Sequence, residues 1–313
     1  MTASILSSNL HRFQQDTPLH QFIQTNTVGD VLNKVKPTYR GLLDLPLTST
    51  MEEAFDLLLA GDILSVPIYN LNGQGEKQYV AIVSALDLLK LLSTKVSLDT
   101  LQTNSDALLM PLHNAISITE PLRILKSSDN LSELLSLFSS AKTHRVLIQH
   151  EGIHVLLSQM DLIHFFQASN HQLGSTILDL PISEIKSNGV KLHINYKCTA
   201  AEAFLKLAAD DHISALPVID DNGDLITDIS AQDVRGLNRN RWESLMKPVV
   251  MYLKSSHGDL IPPFTCHDRF TLSQVMSAFV IRKAHRLWWM DYQTGELKGV
   301  ITLTDILSTF ASH

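Results

Sequence analysis

The sequence predicts a mixed α/β protein built from one repeated unit, and three observations predict it. Four helix-start signals, at residues 50–53, 130–133, 199–202 and 271–274, each open an amphipathic stretch. Each stretch is followed by two short runs rich in branched residues, the pattern of strands. Each copy then closes on Ser/Thr-x-x-Asp, and the four aspartates, Asp87, Asp161, Asp233 and Asp305, are spaced by 74, 72 and 72 residues.

The elements follow in order. In the first copy the helix EEAFDLLLAG sets Ala54, Phe55, Leu58 and Leu59 on one face, and Gly61 supplies its stop. Strands SVPIY and YVAIVS lead to Ser84 and Asp87. The second copy reads a helix from Asn130, strands RVLIQ and VLLS, then Ser158 and Asp161. The third repeats the Ala-Phe step in AEAFLKLAADD, with strands SALPVI and ITDIS before Ser230 and Asp233. The fourth carries RLWWM and KGVITL before Thr302 and Asp305. A second alternation lies over the first. Pro67 and Pro217 interrupt the first strand of the odd copies, as edge strands or bends allow, whereas His144-Arg145 and His285-Arg286 precede it in the even ones.

A unit of about 72 residues leaves an apolar sheet face that a neighbour must cover. The expected division is therefore a weakly ordered extension over 1–27, a first pair of repeats over 28–170 and a second over 171–313. Residues 167–175, QASNHQLGS, would link the pairs.

Composition bounds the function. The chain has 313 residues, 44% of them hydrophobic and 18% charged, with a formal net charge of −7. That balance argues against nonspecific nucleic-acid binding, which needs many cations against phosphates. Cys198 and Cys266 stand alone without metal spacing, as in a reduced intracellular setting. The first residues lack the apolar core of a signal peptide, and no apolar run approaches a membrane span. These features predict a soluble protein of the cytoplasm or nucleus, without a membrane partner. No GxGxxG, Walker loop, GxSxG or HExxH occurs, and His113, His193 and His257 have no ligand spacing, so neither catalysis nor a metal is expected.

ISALPVIDDNG, KAHRLWWMD and GVITLTDIL resemble the cystathionine-beta-synthase (CBS) repeat. Four copies with His-Arg in the even ones resemble the gamma subunit of AMP-activated and sucrose-nonfermenting protein kinases, including its plant gamma-like relatives. The resemblance implies β-α-β-β-α repeats, two tandem (Bateman) modules forming a disc, and clefts that take an adenine nucleotide: AMP, ADP or ATP. It further implies kinase alpha- and beta-type subunits as partners. The alternative is a stand-alone module for another adenosyl ligand, regulating a phosphatase or some other enzyme.

In the family the Asp of Ser/Thr-x-x-Asp takes the ribose hydroxyls, and the His-Arg pairs reach phosphates. The candidate residues are thus Asp87, Asp161, Asp233 and Asp305 with Ser84, Ser158, Ser230 and Thr302, and the basic set His144, Arg145, Arg282, His285 and Arg286. Elementary chemistry allows this. A carboxylate at a strand-to-helix turn can accept both hydroxyls of a cis-diol, and an arginine fork can hold a phosphate. The same Ser/Thr-x-x-Asp is equally a helix cap, and repetition alone does not separate the two readings. Two departures bear on occupancy: Leu64 stands where animal gamma subunits tend to place an arginine, and Asp161 is retained where they often lose the acid. Of Trp288 and Trp289, adjacent on a strand, at most one can line a given cleft.

Overall fold

Alternating short strands and capped helices run through the whole chain. The structure, a computed structural model, describes residues 17–38, 41–101, 103–211 and 213–313. Each repeat opens with a short strand parallel to the repeat's middle strand, which pairs antiparallel with the third. The first repeat comprises strand Leu45–Pro46, helix Met51–Ala60, strands Ser65–Leu71 and Lys77–Ser84, and helix Ala85–Ser93. The second comprises Ile124–Lys126, Leu131–Ser139, Arg145–His150, Ile153–Ser158 and Gln159–Ala168. The fourth comprises Thr265–His267, Leu272–Arg282, Arg286–Met290, Leu297–Thr302 and Leu303–Ser312, and its sheet gains a fourth strand at Asn188–Gly189.

The third repeat departs at its end. After Ile194–Asn195, Ala200–Ala208, Ala215–Ile219 and Leu225–Ser230, the closing element is a single 3₁₀ turn, Ala231–Val234, rather than a helix. Gly236 ends it at φ +72°, and a Cβ there would sit 2.4 Å from Leu59 Cδ2. The chain needs a glycine at that point for conformation and for space.

Local signals act as the sequence leads one to expect. Thr50, Thr199 and Thr271 cap their helices through reciprocal capping boxes, and the Asn130 side chain accepts from Ser132 N at 2.8 Å. Phe55, Leu58, Phe138, Phe204, Leu207 and Phe279 on these helices are buried.

Alternate repeats group into two compact units. The described residues of Met1–Leu42, Arg123–Val190 and Phe264–His313 form one compact unit, holding the second and fourth repeats. Those of Leu43–Leu122 and Lys191–Pro263 form the other, holding the first and third. Each of the expected pairs, 28–170 and 171–313, thus contributes one repeat to each unit, and helices such as Leu131–Ser139, Gln159–Ala168 and Ala85–Ser93 pack on a repeat two places away in sequence. In the first unit Phe166 meets Phe310 at 4.6 Å between ring centroids, and Gln159 Nε2 donates to Phe138 O and Thr304 Oγ1. In the second, Lys90 pairs with Asp211 at 2.6 Å, and the Trp242 indole N–H donates to Leu101 O at 2.6 Å. An apolar cavity of about 30 Å³ lies in this unit, lined by Leu92, Val96, Ala201, Phe204 and Leu245 among others.

The extension is also more ordered than expected. Thr17 caps helix Pro18–Thr25, with proline at its first turn, and Leu19, Phe22 and Ile23 are buried. Phe22 lies 5.5 Å from Phe165 between ring centroids. Residues 1–16 of the extension lie outside the described residues. The linker at 167–175 is a 3₁₀ turn, Asn170–Gln172, with Gly174 at φ +85° before helix Ser175–Leu178.

Four isolated bridges tie each repeat's opening helix start to a separate lead-in segment within its own unit: Thr27 to Asn130, Thr50 to Pro111, Thr199 to Pro248 and Pro181 to Thr271. Two lead-in elements are helices of eight and nine residues, Val28–Val35 and Val249–His257. The other two, Leu112–Ala115 and Ile182–Glu184, are short 3₁₀ turns.

Candidate functional site

Every candidate aspartate sits at position N3 of the element that closes its repeat, and one of its oxygens belongs to that helix start. Asp87 Oδ2 accepts from Ser84 N at 2.8 Å and Ser84 Oγ at 2.6 Å. Asp161 Oδ2 accepts from Ser158 N and Oγ, both at 2.8 Å. Asp233 Oδ2 accepts from Ser230 N at 2.7 Å and Oγ at 2.9 Å, and Asp305 Oδ2 from Thr302 N at 2.8 Å and Oγ1 at 2.6 Å. The capping role is therefore real at all four. A capping box uses one oxygen of the acid, which leaves the second for other partners.

The surroundings of the carboxylates distinguish the repeats. Lys36 Nζ, just past helix Val28–Val35, lies 3.1 Å from Asp161 Oδ2 and donates to Leu156 O. His257 Nε2, at the end of helix Val249–His257, lies 2.8 Å from Asp233 Oδ1. Both oxygens of the buried Asp233 are thus engaged, and Tyr252 OH holds its main-chain carbonyl at 2.8 Å. The hydrogen bond to Asp233 raises the His257 pKa above the ordinary imidazole value, against an opposing contribution from desolvation. Asp305 is different. Among the described residues its carboxylate accepts hydrogen bonds only from Thr302 and has no ion pair, and desolvation by burial pushes its pKa up despite the Thr302 hydrogen bonds.

The basic pairs are placed against these caps by strand register. Arg145 lies directly across from Ser158, and Arg286 across from Thr302. His144 presents its carbonyl to the first backbone N–H of helix Gln159–Ala168 at 3.1 Å, as Leu64 and Ser214 do for their repeats. All four basic residues of the two pairs are half-buried. Arg282 does not join them by register. It ends helix Leu272–Arg282, exposed, with its guanidinium 5.9 Å from the Phe264 ring, and Lys283 turns the chain at φ +50° before the strand begins.

The two tryptophans divide as alternation requires. Trp288 is buried, with an indole N–H that has no acceptor among the described residues, while half-buried Trp289 donates to Asp268 Oδ1 at 2.6 Å. Both cysteines are free thiols, and burial, aided by Asp268, pushes Cys266 up to about 12.

Sequence reasoning missed Lys36 and His257 as partners of these aspartates. No short spacing links either to its aspartate: the partners are brought together by the bridges at Thr27 and Pro248.

The architecture has close counterparts among solved structures. A protein of Methanocaldococcus jannaschii, described as a candidate archaeal homologue of g-AMPK, superposes with a TM-score of 0.67 at 16% identity, covering 87% of this chain and 97% of that one. The fold is that of a four-repeat CBS protein. By sequence, the CBS chain is 24% identical to the 5'-AMP-activated protein kinase subunit gamma of Saccharomyces cerevisiae, over 92% of this chain and 91% of that protein. It is 23% identical to the SNF1-related protein kinase regulatory subunit gamma-like PV42b of Arabidopsis thaliana, over 87% and 92%. It is 26% identical to Protein SDS23 of Kluyveromyces lactis over 84% of this chain, which spans 59% of that protein's length. No family model matches the chain. Among the described residues, no helix is long and apolar enough to cross a membrane, and no cluster of three metal-ligating side chains occurs.

Proposed function

We propose that this gamma-like CBS protein is a regulatory sensor of adenine nucleotides, in which AMP, ADP or ATP binds at the repeat carboxylates and the bound state is read by a kinase catalytic subunit, with a beta-type subunit as further partner. The observation that carries this reading is Asp305. A desolvated acid with one oxygen committed to its cap and no ion pair among the described residues is prepared to accept ribose hydroxyls. Arg286, across the strand pair from its Thr302 cap, is the residue to hold phosphate. The likeness to the yeast and plant gamma proteins over nearly their whole lengths supports the same assignment. His285, His144 and Arg145 extend the basic set.

Such binding regulates only if the nucleotide prefers one of two conformations, since equal affinity for both shifts neither. Titration calorimetry with AMP on the intact chain and on Asp305→Asn tests the reading. Heat from the intact chain and its loss in the variant are expected; an intact chain that binds no AMP overturns it. Changing Arg286 to Ala should weaken AMP far more than adenosine, and equal loss for both removes the phosphate role.

The likeness to Protein SDS23, whose name carries no kinase, favours a second reading: a CBS module that binds an adenosyl ligand and regulates another enzyme. Affinity purification separates the two. Co-purifying kinase alpha- and beta-type subunits support the first, and their absence beside a different enzyme supports the second.

A further inference from the structure

The four repeats share one cap and one carboxylate, yet their lead-in elements differ in length, and that difference decides what reaches the acid. Where the lead-in is a full helix, its end delivers a cation. Val28–Val35 is followed by Lys36 on Asp161, and Val249–His257 brings His257 onto Asp233. Lys36 stands nine residues after the bridging Thr27, and His257 nine residues after the bridging Pro248. In the fourth repeat the lead-in is only the three-residue turn Ile182–Glu184, and the position nine residues after its bridging Pro181 is Val190. There Asp305 keeps an oxygen without an ion pair among the described residues. Each of these contacts lies within a single compact unit.

We infer that Lys36 and His257 are built-in competitors for the ligand, which set a cation on the carboxylates of the second and third repeats and so turn nucleotide away from them, while Asp305 of the fourth meets no such cation among the described residues. This rests on the reading that the Ser/Thr-x-x-Asp acid takes ribose hydroxyls. A ligand entering the third repeat must displace His257 from Asp233 Oδ1, since Ser230 already holds Oδ2. In the second, Lys36 lies on the capping oxygen Asp161 Oδ2 rather than on Oδ1, so a ligand there must share the carboxylate with an ammonium that is also anchored on Leu156 O. Removing either cation gives its aspartate the surroundings Asp305 already has.

The charges facing His257 are Asp233 on the 3₁₀ turn, and Arg235 and Arg241 from the segment after it, with Arg241 held on Ser256 Oγ at 3.2 Å. The arginines keep their charge across the working range, so only the imidazole changes between pH 6 and 8. Its hold on Asp233 weakens as the proton leaves, and the third repeat opens toward pH 8.

The test is titration calorimetry with AMP at pH 6 and pH 8 on the intact chain, His257→Ala, His257→Gln, Lys36→Ala and Asp305→Asn, with thermal melting to confirm folding. The intact chain should show a main site that Asp305→Asn removes. His257→Ala should add a site, or tighten a weak one about tenfold, as expected for removal of one charge-assisted hydrogen bond. Adding Asp233→Asn should abolish that gain. Lys36→Ala should do likewise at the second repeat. Gln keeps a donor for Asp233, so His257→Gln should stay closed and lose the rise in affinity between pH 6 and 8. If the intact chain binds AMP but neither His257→Ala nor Lys36→Ala gains affinity or sites, the inference falls while the nucleotide reading stands. No AMP binding by the intact chain or any variant removes both. Should His257→Ala not fold, His257→Gln decides: a pH dependence equal to that of the intact chain overturns the role of His257.

Discussion

Asp305 and Asp233 occupy the same position of the same motif, yet their environments differ: His257 sits on the second oxygen of Asp233, whereas Asp305 has no ion pair among the described residues. Asp305 has a folded-state pKa raised above its unfolded value, chiefly by desolvation. A group shifted that way contributes stability that is fully present below the unfolded pKa and is lost as pH rises through the folded one. At neutral pH its charge is therefore a burden on the fold. Asparagine keeps an oxygen for Thr302 N and Oγ1 without that charge. Asp305→Asn should leave the melting temperature at pH 7 unchanged or raise it by about 1–3 °C, a difference that should fade near pH 4 as the native acid protonates. Loss of AMP binding in a variant no less stable than its parent would be the signature of a residue kept for a ligand. A clear fall in melting temperature at pH 7 would mark the acid as structural. His257 is shifted in the same direction for the opposite reason, because the fold favours its charged form: its raised pKa stabilises the fold below about pH 6.5, the ordinary imidazole value, and that contribution is lost as pH rises through its folded value. His257→Ala should thus lower the melting temperature more at pH 6 than at pH 8, and an equal loss at both would mean that the imidazolium adds nothing. None of this was legible from the motif, because Ser/Thr-x-x-Asp specifies one oxygen of the acid and says nothing of the other.

Elements were legible where their signals are local. The capping boxes at Thr50, Thr199 and Thr271, the branched strands and the closing caps are decided within a few residues, and the structure has them in place. Other elements escaped, the lead-in helices Val28–Val35 and Val249–His257 among them, and two more show why. The third repeat's closing helix shrinks to a 3₁₀ turn because Gly236 must approach Leu59 of the first repeat, a contact across 177 residues of sequence that no local pattern announces. The helix Pro18–Thr25 was hidden for another reason: eight residues are too few for stability alone, so its order comes from packing rather than propensity. The Thr17-Pro18 step that starts it is a legible cap and first-turn proline. Its anchor is Phe22, buried against Phe165 and Phe166. Truncating Phe22 to Ala should destabilise the unit of the second and fourth repeats by about 3 kcal/mol, in the range for buried aromatics. Denaturant unfolding measures it, and a change under about 0.5 kcal/mol, the size of an ordinary surface substitution, would show that the helix adds little.

At the scale of the molecule, the consecutive division at 170/171 and the compact units make different forecasts. Each half of the chain, 28–170 or 171–313, holds one repeat from each unit. A half made alone therefore exposes the faces that its helices bury on the missing half. Leu88, Leu89 and Leu92 would lack Ala201 and Phe204, which lie in the same apolar core, and Phe166 would lack Phe310. Several such side chains left in water, at roughly 1.5–3 kcal/mol each, exceed the whole stability of a typical domain of 5–15 kcal/mol. Helices with an uncovered apolar stripe also seek partners, and the repeated pattern lets a half find one in its own copy. Each half expressed alone should then self-associate, with a broad unfolding transition. Mixed, the two halves should exchange into a 1:1 complex that regains the melting profile of the intact chain. Light scattering with chromatography reads the stoichiometry. A half that stays monomeric and unfolds in one sharp transition would restore the consecutive pairs as self-sufficient modules, and the packing of alternate repeats would then be secondary to the fold.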